Sequence, residues 1–172
     1  MLKLIGAVIV LLSATMAGFY MGRQLNQRTL QIRGLLLALQ LLETEILYGA
    51  TPLKQAFDKL GRRLPPELGR IFNTASENLA SPNGQSTQSS IQAAIDRHWS
   101  GTAMKPSEKE VLMSLGYVLG NSDREDQKKH LQLAMSHLRS LETEARDEQG
   151  RYERMYRSLG FLSGLLVVIL MF

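Results

Sequence analysis

The chain of 172 residues has no cysteine, which excludes a disulfide framework and any thiolate metal site. Aromatics make up 6% of it, with one tryptophan, Trp99. Of its five prolines, none falls within residues 23–49. No strand alternation or hairpin signal is present. The glycines are scattered, so no phosphate-cradling loop forms. A surplus of one charge is also missing. The net charge is +4, and with Lys3 set aside residues 22–157 hold 19 of the 20 Lys and Arg and all 16 Asp and Glu. Charge mixed this evenly lacks the basic face of a dedicated nucleic-acid binder.

Catalytic groups are equally sparse. His130 and His137 stand seven apart, whereas a zinc pair usually sits at i,i+4 with a third ligand near. They read as partly exposed histidines beside a packing stripe. The acidic run Asp123–Asp126 lacks the glycine and alternate spacing of a calcium loop and reads as a charged helix start. Nothing supports a nucleophile–histidine–carboxylate triad. No catalytic residue, cofactor, metal or small-molecule substrate is expected, and the chain reads as a binding or scaffolding element rather than an enzyme.

What the sequence does hold is helix. From Asn121 to Phe172 it reads as one helix with three successive parts. Ser122 and Glu125 have capping-box spacing, and Asp123, Glu125 and Asp126 suit the positive end of the helix dipole. Leu131, Ala134, Leu138, Leu141, Ala145, Tyr152, Met155 and Leu159 form an apolar stripe with one gap, at Glu148. Around the gap lies a charged stalk with i,i+4 pairs Glu142–Arg146, Asp147–Arg151 and Glu153–Arg157, each worth about 0.2–0.5 kcal/mol. From Ser158 onward no charge appears.

The opposite end mirrors this. Residues 4–21 carry no charge and would span about 27 Å as helix, close to a hydrocarbon core of roughly 30 Å. A cleaved signal peptide is the competing reading. A retained anchor is favoured, because the apolar run passes unbroken into a helical pattern and no small-x-small cleavage site stands out. Residues 158–172 are short for a span, about 22 Å, and could instead be a buried or interfacial helix. Small residues at i,i+4 spacing (Ala14, Gly18 and Gly22; Gly160 and Gly164) allow the two runs to pack as a hairpin, although glycine is common in membrane helices anyway. Arg23, Arg28, Arg33, Arg146, Arg151, Arg154 and Arg157 flank the runs on one side. The positive-inside rule therefore places residues 22–157 in the cytoplasm and both chain ends outside it.

Between the runs, Leu25, Ile32, Leu35, Leu39, Leu42 and Ile46 mark a first helix over 23–49. Gly49 suits a C-cap, Thr51 an N-cap and Pro52 a first helical position. Further helices are expected at about 52–63, 66–79, 89–99 and 107–119. The last two start from capping boxes at Ser89–Gln92 and Ser107–Glu110. Leu119-Gly120-Asn121 suits a left-handed turn, and residues 80–89 a polar loop. The expected fold is all-α: a six-helix antiparallel bundle over 23–157, its first and last helices extended into transmembrane segments at 1–22 and 158–172. Two stretches are candidates for a partner surface. One is the turn with Tyr48, Gly49, Thr51 and Pro52. The other is the start of the last helix, with Asp123, Arg124, Gln127, Lys128 and His130. Caps and turns account for about half of these residues.

The chain resembles the stage III sporulation protein AB family of endospore-forming bacteria. The resemblance rests on Met1-Leu2-Lys3-Leu4-Ile5-Gly6-Ala7; on Gln31-Ile32-Arg33, Ala38-Leu39-Gln40, and Leu42-Glu43-x-Glu45-Ile46-x-Tyr48-Gly49-x-Thr51-Pro52-Leu53; on Glu110-Val111-Leu112, Leu119-Gly120, Asp123-Arg124 and Gln127-Lys128-Lys129-His130; and on Ser158-Leu159-Gly160-Phe161-Leu162 with Gly164-Leu165-Leu166. Residues 62–100 match loosely. The resemblance implies a component of the channel complex joining mother cell and forespore, in the mother-cell membrane that faces the forespore. It also implies a soluble domain similar to the inner-membrane platform proteins of type II secretion and type IV pilus systems. Its partners would be the cell membrane, other channel proteins of the same operon and their companion ATPase, stage III sporulation protein AA. The alternatives are a purely structural subunit acting through its anchors and a platform of another secretion-like assembly.

Overall fold

The structure, a computed structural model, describes residues 25–49, 51–81 and 86–171. Beyond Tyr152 its side chains are described only at Met155 and Leu159. The expected anchor at 1–22 lies outside the described residues. Helix α1 covers residues 25–44 and widens into a π-type turn at Glu45–Gly49. Helices α2 (Leu53–Arg63), α3 (Pro66–Leu79), α4 (Thr87–His98), α5 (Pro106–Val118) and α6 (Arg124–Met171) follow. A short 3-10 turn, Trp99–Gly101, trails α4. Among the described residues there are six helices and no strand.

Successive helices from α2 to α6 pack against one another in chain order. Helix α6 closes the bundle against α1, and three side-chain pairs fix their register. These are Arg28 with Glu148 and Arg33 with Glu142, both at 2.7 Å, and Glu43 with Gln132 at 2.9 Å. Each pair of numbers adds to 175 or 176, which is possible only if the two helices run antiparallel and side by side. The sequence stripes meet in between. Ile32, Leu35, Leu39, Leu42 and Ile46 of α1 share one core with Leu131, Ala134, Leu138, Leu141 and Ala145 of α6. Phe57 and Phe72 meet edge to face within it, 5.8 Å apart at 61°, a favoured aromatic geometry.

The bundle has two distinct ends. Leu68 and Pro65 at the α2–α3 corner lie against Gly34 of α1. The backbone N–H of Ala103, between α4 and α5, donates to Gln31 Oε1 at 2.8 Å. Both connections thus abut the N-terminal half of α1, at what is called the basal end. The π-type turn and the α5–α6 connection lie at the opposite, distal end. There Gly120 adopts φ 90°, the left-handed turn expected of Leu119-Gly120-Asn121, and it sits against Thr87. At the basal corner α2 and α3 touch backbone to backbone. A Cβ on Gly69 would fall 2.6 Å from the Gly61 carbonyl oxygen, so only glycine permits that crossing.

All three expected capping boxes are displaced. Helix α4 starts at Thr87, and Ser86, not Ser89, caps it by accepting from the Ser89 N–H at 3.1 Å. Helix α5 starts at Pro106, and its cap comes from Glu108, whose Oε2 accepts from the Lys105 N–H at 2.6 Å; Ser107 and Glu110 play no such part. Asp123 replaces Ser122 at the start of α6, accepting from the Asp126 N–H at 2.8 Å. Each segment offers several Ser, Asp and Glu residues with overlapping three-residue spacings. The choice among them follows packing, which spacing cannot see. Thr51 likewise is not the N-cap of α2, since Pro52 holds that place without a side-chain bond.

The 48 residues of α6 would extend about 72 Å, well past the bundle. The helix runs through the expected C-terminal segment as far as Met171. Among the described residues no helix is long and apolar enough to cross a membrane.

Candidate partner surface and the buried charge junction

The two stretches expected to carry a partner surface lie together at the distal end. The π-type turn packs against α6, and the α1–α6 register brings Tyr48 level with Gln127. Internal roles claim several members. Thr51 Oγ1 donates to Glu45 Oε2 at 2.5 Å, and Lys59 Nζ donates to Glu45 Oε1 at 2.8 Å. The Lys59 hydrogen bond is the main reason the Glu45 carboxyl is held below its ordinary pKa, with Thr51 second. Asp123 caps α6, and Gln127 Nε2 donates to the Ser122 carbonyl at 2.9 Å. Gly49 ends the π-type turn and Pro52 opens α2.

Four members remain without an internal bond among the described residues. They are Tyr48, which is 85% exposed, together with Arg124, Lys128 and His130. A large exposed aromatic beside two cations is the residue mix that recurs at binding hot spots. The π-type turn aims Tyr48 outward, and π-bulges recur at functional positions. His130 also borders a groove of about 400 Å³ between α5 and α6. Val111, Leu115 and Ala134 form its floor, and His137 and the exposed Leu133 stand along it. The two histidines that sequence spacing put on one face therefore do share one, along an open groove. Among the described residues no three metal-ligating side chains stand close enough to hold an ion.

Among the described residues the most buried ion pair lies at the basal end, where sequence reasoning placed nothing. Arg28 is 2% exposed and Glu108 is fully buried. Arg28 Nε and Nη2 donate to Glu108 Oε1 at 3.1 and 2.6 Å, while Nη1 donates to Glu148 Oε2 at 2.7 Å. Lys105 Nζ donates to the other Glu148 oxygen at 2.6 Å. That bond leads the causes holding the Glu148 carboxyl below its ordinary pKa, with the Arg28 charge adding to it. Two cations and two carboxylates thus join α1, α5 and α6, and Glu108 also caps α5. Such satisfaction is what a buried charge requires. Glu144 flanks Arg28 at 3.6 Å.

This junction revises two sequence readings. The gap in the α6 stripe at Glu148 is the point where the helix turns a carboxylate toward α1. In the stalk the expected Glu142–Arg146 pair shares its carboxylate with α1, and the expected Glu153–Arg157 pair lies outside the described side chains. Glu142 lies 2.7 Å from Arg33 but 3.8 Å from Arg146. Hence Arg28 is engaged inside the bundle and Arg33 pairs with Glu142 at its surface. A cue did exist: Arg28 falls between Leu25 and Ile32 at the three-and-four spacing of the inward face.

Comparison with known proteins agrees with this architecture. The family profile described as stage III sporulation protein AB matches residues 3–172. A relative named stage III sporulation protein AB, from Bacillus subtilis (strain 168), is 39% identical over 171 residues, covering 99% of each chain. A solved structure of a stage III sporulation protein AB shares 36% identity and superposes with a TM-score of 0.69, over 73% of this chain and 98% of its own. The chain belongs to the stage III sporulation protein AB family.

Proposed function

We propose that the chain is a non-catalytic platform of the mother cell–forespore channel complex, held in the mother-cell membrane and presenting its distal end to the companion cytoplasmic ATPase, stage III sporulation protein AA. The carrying observation is spatial. Helices α1 and α6 run antiparallel in a constant register, so the stretches leading to residues 1–22 and 158–172 leave the bundle at the basal end. The exposed Tyr48, Arg124 and His130 and the half-exposed Lys128 lie at the other. In this reading residues 1–22 and 158–172 are membrane segments with both chain ends outside the cytoplasm, and residues 23–157 form a stem that separates anchors from docking tip.

Two measurements test it. Detergent-solubilised full-length protein should capture the ATPase, and Tyr48→Ala with Arg124→Glu and Lys128→Glu should weaken capture by about tenfold or more. These side chains make no internal bond, so the fold should survive. Capture equal to wild type, or none by wild type, removes the docking role. For the anchors, the contact to test is the expected packing of the small residues Gly18 and Gly164. Because the chain has no cysteine of its own, a Gly18→Cys/Gly164→Cys protein in membranes should give an intramolecular disulfide on oxidation. The purely structural alternative is separated by replacing both apolar runs with unrelated spans. Sporulation surviving that swap assigns the function to the bundle.

A further inference from the structure

The helix ends are not equivalent. At the basal end the last turn of α2 carries Arg62 and Arg63, and the last turn of α4 carries Arg97 and His98. At the distal end the last turns of α3 and α5 carry no base, whereas acids open helices at both ends, Glu67 and Glu108 at the basal and Glu125 and Asp126 at the distal. Cations at helix C-termini are favoured by the dipole, but that rule applies equally to α3 and α5, which lack them. It therefore does not explain why the helix C-termini at one end carry bases and those at the other do not.

Their pairing differs as well. Arg62 has Asp58 at 3.1 Å, Lys105 has Glu148 at 2.6 Å and Lys109 has Asp96 at 2.8 Å. Arg63, Arg70 and Arg97 are exposed and have no carboxylate within ion-pair distance among the described residues. Glu108, at this end, is buried and committed to Arg28; Glu67 opens α3 there without closing an ion pair to them, and Glu45 feels the Arg63 charge only at longer range. We infer that the basal end, through Arg63, Arg70 and Arg97, is a docking surface for anionic phospholipid headgroups. It would seat the bundle on the bilayer instead of letting it swing from its two helical stems. The complementarity is electrostatic: unpaired guanidiniums suit phosphate, and basic residues near an anionic leaflet are each attracted within about a Debye length.

The inference rests on the membrane reading above for its setting, but it can fail separately. The solved relative is matched over 98% of its own chain by 73% of this one, so a helical domain of this extent stands alone. Residues 25–152, lacking both apolar runs, should co-sediment with phosphatidylglycerol vesicles at low ionic strength. They should not do so with phosphatidylcholine vesicles, nor at high salt. Arg63→Gln/Arg70→Gln/Arg97→Gln should weaken that binding by about tenfold. A distal control, Arg124→Gln/Lys128→Gln/Lys129→Gln, should leave it unchanged. No preference for the anionic vesicles, or equal loss in both triple variants, overturns the inference. Whether the full chain stays with pure phosphatidylcholine membranes after alkaline washing decides the anchoring reading independently.

Discussion

Helix α1 is tied to the rest of the molecule by a glutamate-centred charge knot at each end, and the two differ in burial. At the basal end Arg28 and Glu108 are sealed from water. At the distal end Lys59 and Glu45 are 49% and 25% exposed, and Glu45 holds Lys59 of α2 and Thr51 of the turn before it. The same side-chain chemistry therefore has different energetic consequences. Water can replace a lost partner at the distal knot. At the basal one a lost partner leaves a charge stranded. The basal knot sits where the two long helices leave the bundle, and it ties both of them to α5. The distal knot frames Tyr48 and can change with little cost to the fold.

The largest expected effect tests the basal half of this contrast. Arg28→Met keeps the bulk but strands the buried Glu108 carboxylate, and should destabilise the domain by about 3–5 kcal/mol, read as a lower urea midpoint. Adding Glu108→Gln should recover part of the loss, because an amide oxygen can still accept from the Lys105 N–H that caps α5. No recovery in the double variant would mean that packing around Arg28, rather than its charge, carries the effect.

A smaller effect should come from Glu148, which is half-buried and can regain water. Glu148→Gln removes the carboxylate shared by Arg28 and Lys105, and should cost about 1 kcal/mol after solvent screening is allowed for. Its sign against pH follows from its lowered pKa. The stabilisation is fully present above the ordinary value of 4.5 and disappears as pH falls through the lower value of the folded state. Wild type should therefore lose stability below pH 4.5 more steeply than Glu148→Gln, with the two curves converging in acid.

These particulars also show what the sequence could reveal. Period and punctuation gave the helices to within about two residues, and the stripes of α1 and α6 name the side chains that meet in the core. The caps did not follow, because Ser86, Ser89, Ser107, Ser122 and Asp123 offer equivalent local chemistry and packing decides among them. The junction of Arg28 with Glu108 was hidden for a different reason. Its members are 80 residues apart, and no local rule pairs them. Its trace was negative: a charge inside one apolar stripe and a gap in another. The distal candidates fared unevenly. Thr51, Asp123 and Gln127 turn out to hold the local backbone or its neighbours, while Tyr48, Arg124, Lys128 and His130 make no internal bond among the described residues.

The smallest expected effect sharpens the distal half. Glu45→Gln removes the carboxylate that holds Lys59, but both groups can return to water and the pair is screened at physiological salt. The unfolding midpoint should not move measurably at neutral pH. The Thr51 hydroxyl can still donate to the amide oxygen, so the turn beneath Tyr48 should keep its path, and Tyr48 should remain as accessible to collisional quenchers as in wild type. A fall in midpoint comparable to that of Glu148→Gln would show that the distal knot is as structural as the basal one, and the division of the molecule into a rigid stem and a tolerant tip would have to be given up. An unchanged midpoint makes Glu45→Gln a well-folded protein with an altered tip charge. Any change in ATPase capture by it could then be assigned to the surface around Tyr48 and not to a loosened bundle.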